Sequence, residues 1–228
     1  MPGHIRRVIV AIGGGHATGV MEAGLQIKKS LNKLFPSTTV TIIDLDSKAT
    51  TPIRTYTNKD YDFDQVYEGL VNTECLGDTA PSDDSSHDSL ELVLLCGCYA
   101  LFDPKINSLT HLKVFLDSDG DTRLINLIKL NKISDGDQLA VLIAEYMEHL
   151  RVEMQKYIAP TRANADLIIP CSNDLTGYAI ITDGIVKIME DIRGNGDSSN
   201  AASKLFPLLV DFEAERMDVQ KERYYDLS

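Results

Sequence analysis

Gly13-Gly14-Gly15-His16-Ala17-Thr18-Gly19-Val20-Met21 follows directly on the apolar run Val8-Ile9-Val10-Ala11-Ile12, and a helical pattern from about Gly19 to Leu34 opens out of it. A glycine turn between a buried strand and a helix suits an anion, because backbone N–H groups converge there and the helix N-terminus carries partial positive charge. The full phosphate-loop pattern is G-x-x-x-x-G-K-[ST], in which the Lys reaches the β/γ-phosphates and the hydroxyl holds Mg²⁺. Gly14 and Gly19 keep the glycine spacing, but Val20 and Met21 stand where the Lys and the hydroxyl belong. The stretch therefore reads as a phosphate loop in backbone and not in side chains.

Outward from the loop, apolar runs and helical patterns alternate. Strands are expected at 7–12, at Thr39–Ile43, from Leu90 to Leu95, at Leu112–Leu116 and over 165–170. Each is short, apolar and closed by a turn signal, as strands of a parallel sheet covered on both faces are. Helices are expected from Gly19 to Leu34, over Val66 to Leu70, from Gln138 to Ile158 and from Leu175 to Ile192. In the third of these, Leu139, Leu142, Ile143, Tyr146, Met147, Leu150 and Met154 form one apolar stripe, read as core. Five strands alternating with helices behind a glycine loop indicate an α/β fold of the P-loop NTPase type, a five-stranded parallel sheet flanked by helices.

The polar stretches separate three parts: a domain over 1–192, a linker over 193–202 and a charged helical extension over 203–228. The Ser/Asp-rich segment 74–90 reads as a solvated loop. Asp44 and Asp46 end the second strand, where α/β sheets bind ligands, although a carboxylate there also serves simply to close a turn. Asp117, Asp119 and Asp121 lack the ligand ladder of a calcium loop and read as a strand end with a helix N-cap.

The chain has 228 residues, enough for one α/β core, and a formal charge of −12, which disfavours a nucleic-acid surface built from clustered Lys and Arg. No apolar run approaches the roughly 20 residues of a membrane-spanning helix, and no secretory leader is evident at the start. The expected location is the cytoplasm, with the nucleus also open to it. The four cysteines, Cys75, Cys96, Cys98 and Cys171, do not make a disulfide framework or a zinc set, and are read as reduced.

Val114-Phe115-Leu116-Asp117-Ser118-Asp119-Gly120-Asp121-Thr122-Arg123-Leu124 closely resembles the strand-to-helix signature of the uridine–cytidine kinases, and Pro160-Thr161-Arg162-Ala163-Asn164-Ala165-Asp166-Leu167-Ile168-Ile169-Pro170 resembles their last strand. With the glycine loop the resemblance spans about 7–192, and within the family it is strongest to a divergent fungal uridine kinase-like protein. It implies a nucleotide held by Gly13 to Met21, a catalytic base at Asp46 and a ribose-binding carboxylate at Asp64. It also implies ATP with Mg²⁺ as cofactors, and a nucleotide or pyrimidine nucleoside as ligand.

The same resemblance places the family's Mg²⁺-binding acid on Cys96 and its lid arginines on Leu127, Leu130, Asp135 and Asp137. A thiol is a poor ligand for a hard cation, and aspartates repel what arginines attract. Binding of ATP and Mg²⁺ is accordingly expected to be weak or absent, with no metal ligands to assign. Two readings stand: a degenerate kinase with a nucleotide- or nucleoside-binding or regulatory role, and an active divergent uridine/cytidine kinase. Either could assemble with itself or with a genuine uridine kinase; neither calls for nucleic acid or membrane.

Overall fold

The computed structural model of the chain describes residues 6–50, 54–71, 90–170 and 175–194. Its strands are β1 (Arg6–Gly14), β2 (Thr39–Asp44), β3 (Leu90–Cys96), β4 (Leu112–Asp117) and β5 (Leu167–Pro170). Its α-helices are α1 (Val20–Leu34), α2 (Phe63–Val71), α3 (Pro104–Leu109), α4 (Gly120–Leu130), α5 (Gly136–Glu145) and α6 (Leu175–Gly194). The strands form one sheet in the order β2-β3-β1-β4-β5, every pairing parallel. The five-stranded parallel sheet expected from the sequence is therefore present.

Strand periodicity divides the core into two layers. Ile9, Ala11, Ile43, Leu45, Val93, Leu95 and Phe115 are buried together with Tyr99, Leu101, Ile106, Met154 and Ile158. The alternate positions face α1, whose Ala23, Ile27 and Leu31 are fully buried. On that face the approach is close: a Cβ on Gly24 of α1 would lie 2.6 Å from Cys96 Sγ at the end of β3.

The two signature stretches lie side by side. Phe115 pairs with Ile168 and Asp117 with Pro170. Lys113 and Asp166 fix the start of the pairing: Lys113 N donates to Asp166 Oδ2 at 2.8 Å, and Asp166 N donates to Lys113 O at 2.8 Å. Arg162 bridges to Asp117 at 3.2 Å.

The expected long helix differs in an informative way. After α5 the chain passes through a π-helical turn (Tyr146–Leu150), one α-helical turn (Arg151–Glu153), a second π-helical turn (Met154–Ile158) and a 3₁₀ turn (Ala159–Asn164). Leu142, Tyr146, Leu150, Met154 and Ile158 are all buried, at a strict spacing of four. An α-helix turns past such a row, because its repeat is about 3.6 residues; wider i→i+5 turns bring it back to one face. Ile143 and Met147, expected in the core, are 39% and 49% exposed instead.

Helix α3 has no counterpart in the sequence reading. Its signals are Asp103, whose carboxylate accepts from Lys105 N and Ile106 N, and Pro104 in the first turn. The chain divides into two compact units, Met1–Val186 and Lys187–Ser228. Of the second only Lys187–Gly194, the end of α6, is described, and the remainder of the linker and the extension over 203–228 lie outside the described residues. So do residues 74–89 of the Ser/Asp-rich segment, Cys75 among them, and Cys171.

Candidate functional site

The carboxyl ends of β2, β3 and β1 come level with one another. Cys96 pairs with both Ile12 and Asp44; Leu45 N donates to Cys96 O at 2.8 Å and Gly97 N to Ile12 O at 3.2 Å. This register sets the glycine loop, the Asp44-Leu45-Asp46 corner and the Cys96-Gly97-Cys98 corner around one crevice, the usual ligand position in such sheets.

The loop has the compact backbone its glycines imply. A Cβ on Gly14 would lie 2.7 Å from Thr18 Oγ1 and 2.9 Å from Leu116 O, so no other residue fits there. Thr18 closes the turn, with its N and Oγ1 both donating to Gly15 O. Ala17 and Gly19 adopt positive φ, 57° and 79°, and α1 begins at Val20. Arg123 packs against Gly15 and Asn126 Nδ2 donates to Ala17 O at 3.0 Å, so α4 supports the loop from below. Gly13 abuts Leu101. Val20 is buried and Met21 half-buried, both apolar where a cation and a hydroxyl would serve a phosphate.

His16 is the loop residue whose side chain enters the crevice. Its Nε2 lies 2.9 Å from Glu153 Oε2, and its Nδ1 lies 3.3 Å from Cys98 Sγ. Glu153 gathers two more donors: Arg54 Nη2 reaches Oε2 at 3.2 Å and Tyr99 Oη donates to Oε1 at 2.9 Å. The Glu153 side chain is fully buried. Burial pushes its carboxyl up, but the His16 ring, the Arg54 guanidinium and the Tyr99 hydroxyl outweigh that and hold it below the usual range. Burial, and then the neighbouring Glu153 charge, raise the Tyr99 hydroxyl instead, so it remains a donor.

The segment carrying Arg54 is fastened to the same helical stretch. The Arg54 guanidinium sits 5.0 Å over the Tyr56 ring, which stacks on His149 at 4.6 Å and donates through its hydroxyl to Glu145 Oε1 at 2.8 Å. Asp60 is buried and accepts from Thr55 N and Thr55 Oγ1, closing the turn between them.

The two carboxylates at the end of β2 have separate roles. Asp44 closes the corner, its Oδ1 accepting from Asp46 N at 3.0 Å and Ser47 N at 3.3 Å. Asp46 turns into the crevice, where its Oδ1 accepts from Cys98 N at 2.9 Å. The residue as a whole is exposed, yet that end of it is sheltered by the Cys98 corner, and loss of solvent raises its carboxyl above the usual value. Asp64 stands apart. It lies in the first turn of α2, 78% exposed, in an ion pair with Lys105 at 2.7 Å.

Mg²⁺ does not fit the position that the resemblance gives its acidic ligand. The Cys96 thiol points under α1 against Gly24, and burial pushes it up to about 12. Asp117 pairs with Arg162, and among the described residues no three His, Cys, Asp or Glu converge on a metal position. Cys98 is close to a ring nitrogen, but burial, and then the charges of Asp46 and Glu153, raise its thiol well above the ordinary value. It is a neutral donor, not an activated nucleophile.

Local sequence signals mark the loop and Asp46, whereas Arg54 and Glu153 carry none. A lone Arg in a polar segment and a Glu within an amphipathic helix are ordinary. Only the fold brings them together, 99 residues apart in the chain.

The family model described as phosphoribulokinase/uridine kinase matches residues 16–176. The chain is 47% identical to "Putative uridine kinase DAS2" of Saccharomyces cerevisiae, over 98% of this chain and 97% of that one. It is 24% identical to a uridine kinase of Deinococcus deserti, over 75% of this chain and 90% of the other. Among solved structures, a "putative fructose transport system kinase" from Silicibacter sp. TM1040 superposes with a TM-score of 0.51 at 14% identity, covering 75% of this chain and 93% of that one. That last likeness speaks for the fold alone. The glycine loop, the strand order and the extent of the matches together make the chain a member of the phosphoribulokinase/uridine kinase family.

Proposed function

We propose that the protein is a family member that has lost phosphoryl transfer and holds a nucleoside in the crevice at the ends of β1, β2 and β3, acting as a binding or regulatory partner. The observation that carries this reading is Cys96, a buried neutral thiol packed against Gly24 at the position of the Mg²⁺-binding acid. Val20 and Met21 extend the same loss to the loop. Phosphoryl transfer depends almost wholly on positioning and charge stabilisation, and one transition-state arginine can be worth about 10³–10⁵ in rate. Each tenfold loss is about 1.4 kcal/mol, so losing the Lys, the acid and the lid arginines together leaves little catalysis.

The sugar end is different. Asp46 remains as an acceptor for a ligand hydroxyl, near enough to Tyr61 that burial and then the Asp46 charge raise the tyrosine hydroxyl. Retention of Asp46 also favours the competing reading of an active divergent kinase. Isothermal titration calorimetry separates the two: uridine is expected to bind with Mg²⁺ present or absent, and Mg·ATP to give little heat. Tight Mg·ATP binding that requires the metal would contradict the proposal. A partner role would be exercised in the cytoplasm or nucleus, through self-association or pairing with an active uridine kinase; size-exclusion chromatography alone and with such an enzyme tests it.

A further inference from the structure

Glu153 is an unusual neighbour for a glycine loop. Its carboxylate is fully buried, comes from the far side of the crevice and meets the loop at His16, 2.9 Å away. It also takes the Arg54 guanidinium, at 3.2 Å, and the Tyr99 hydroxyl, at 2.9 Å. Three donors converging on one buried anion is the arrangement in which proteins hold a phosphate oxygen. Here the anion belongs to the protein.

The consequence for a ligand is one of charge. Arg54 stands in reach of the loop, but its guanidinium is turned to Glu153 and stacked on Tyr56. Asp46 adds a second carboxylate across the crevice. A phosphate brought to the loop meets two carboxylates and finds the Arg54 guanidinium already paired, whereas a neutral hydroxylated molecule meets acceptors suited to its hydroxyls.

We propose that Glu153 determines ligand class in this crevice: it stands in for a phosphate toward His16 and Arg54, so that an uncharged, hydroxyl-bearing ligand is admitted and its phosphorylated counterpart is rejected. The identity of the neutral ligand rests on the nucleoside reading above; the exclusion of phosphate does not.

Calorimetry on the full chain with pyrophosphate, uridine and uridine monophosphate tests it. Wild-type protein binds uridine and gives no heat with pyrophosphate. Glu153→Gln keeps the side-chain volume and removes the charge, so affinity for pyrophosphate and for the monophosphate rises about tenfold or more relative to that for uridine. Adding Arg54→Met to Glu153→Gln abolishes the gain. The proposal is overturned if Glu153→Gln binds pyrophosphate no better than wild type, or if the gain survives loss of Arg54. Wild-type protein that binds pyrophosphate as tightly as uridine overturns it without any variant, which covers a Gln variant that does not fold. A gain in pyrophosphate binding with no uridine binding anywhere upholds the exclusion and contradicts the nucleoside reading instead.

Discussion

His16 in the glycine loop and Glu153 in the helical stretch that closes the crevice lie 2.9 Å apart, side chain to side chain. The contact ties the start of the domain to a turn 137 residues further along, between two π-helical turns. Those wide turns keep Glu153 on the inward face together with Leu150 and Met154. Loop, helix and Arg54 thus form one polar unit, and its titration is open to measurement.

The Glu153 carboxyl is held below its ordinary value of 4.5, so the folded chain binds that proton less readily than the unfolded one. The resulting stability is full above that value and is lost as pH falls through the lower, folded-state value. Thermal unfolding of wild type is expected to weaken more steeply below about pH 4.5 than that of Glu153→Gln. At pH 7 the Gln variant is expected to lose about 1–3 kcal/mol, the range for removing one partner of a buried polar contact.

His111 offers a second, independent titration. Its Nδ1 accepts from Ile9 N at 3.2 Å while its own N donates to Ile9 O at 2.8 Å, so it extends the pairing beside β1. Burial lowers its imidazole below the ordinary 6.5. Stability is therefore present above 6.5 and lost as pH falls through the folded-state value, because the unfolded chain takes up the proton first. His111→Asn retains an acceptor without the proton, and its melting temperature between pH 7 and 5 is expected to be flatter than wild type.

Gly24 is required by Cys96. An alanine in a helix interior gains about 1 kcal/mol over glycine, but here its Cβ would fall 2.6 Å from the Cys96 sulfur. Overpacking of that kind costs about 1–3 kcal/mol, so Gly24→Ala is expected to be net destabilising. Gly24→Ala with Cys96→Ala removes the clash and is expected to recover most of the loss, a coupling that denaturant melts of the four proteins in the cycle measure.

Asp46 is expected to behave as a carboxylate retained for a ligand and not for stability. Its pKa is raised, first by loss of solvent, so the ionised form opposes folding above the folded-state value and that penalty disappears at lower pH. Asp46→Asn still offers an oxygen to Cys98 N and is expected to melt at or above the wild-type temperature at pH 7, while uridine binding weakens. A clear drop in melting temperature would make Asp46 a structural residue.

The sheet was legible because its strands are buried on both faces: Val8 to Ile12, Leu92 to Leu95 and Leu112 to Leu116 are near-continuous apolar runs, each ending at a turn. Asp44 and Asp46 were legible as a pair, though only the corner geometry assigned one to the turn and the other to the crevice. The stripe through Tyr146 and Leu150 carries an α-helical repeat in the sequence, and the π-helical turns leave Ile143 and Met147 outside the buried face. Arg54 and Glu153 were out of reach for a physical reason. An ion pair between distant segments leaves no spacing in either segment, and an isolated charge such as Glu153 in an amphipathic pattern reads as solvent-facing until the fold turns it inward.

Uridine phosphorylation by the purified full chain, followed as uridine monophosphate formed with saturating Mg·ATP, tests the central claim most directly. No product above the protein-free control is expected over hours, with wild type and Asp46→Asn indistinguishable. Turnover in the ordinary kinase range of about 1–100 s⁻¹, abolished by Asp46→Asn, would contradict it.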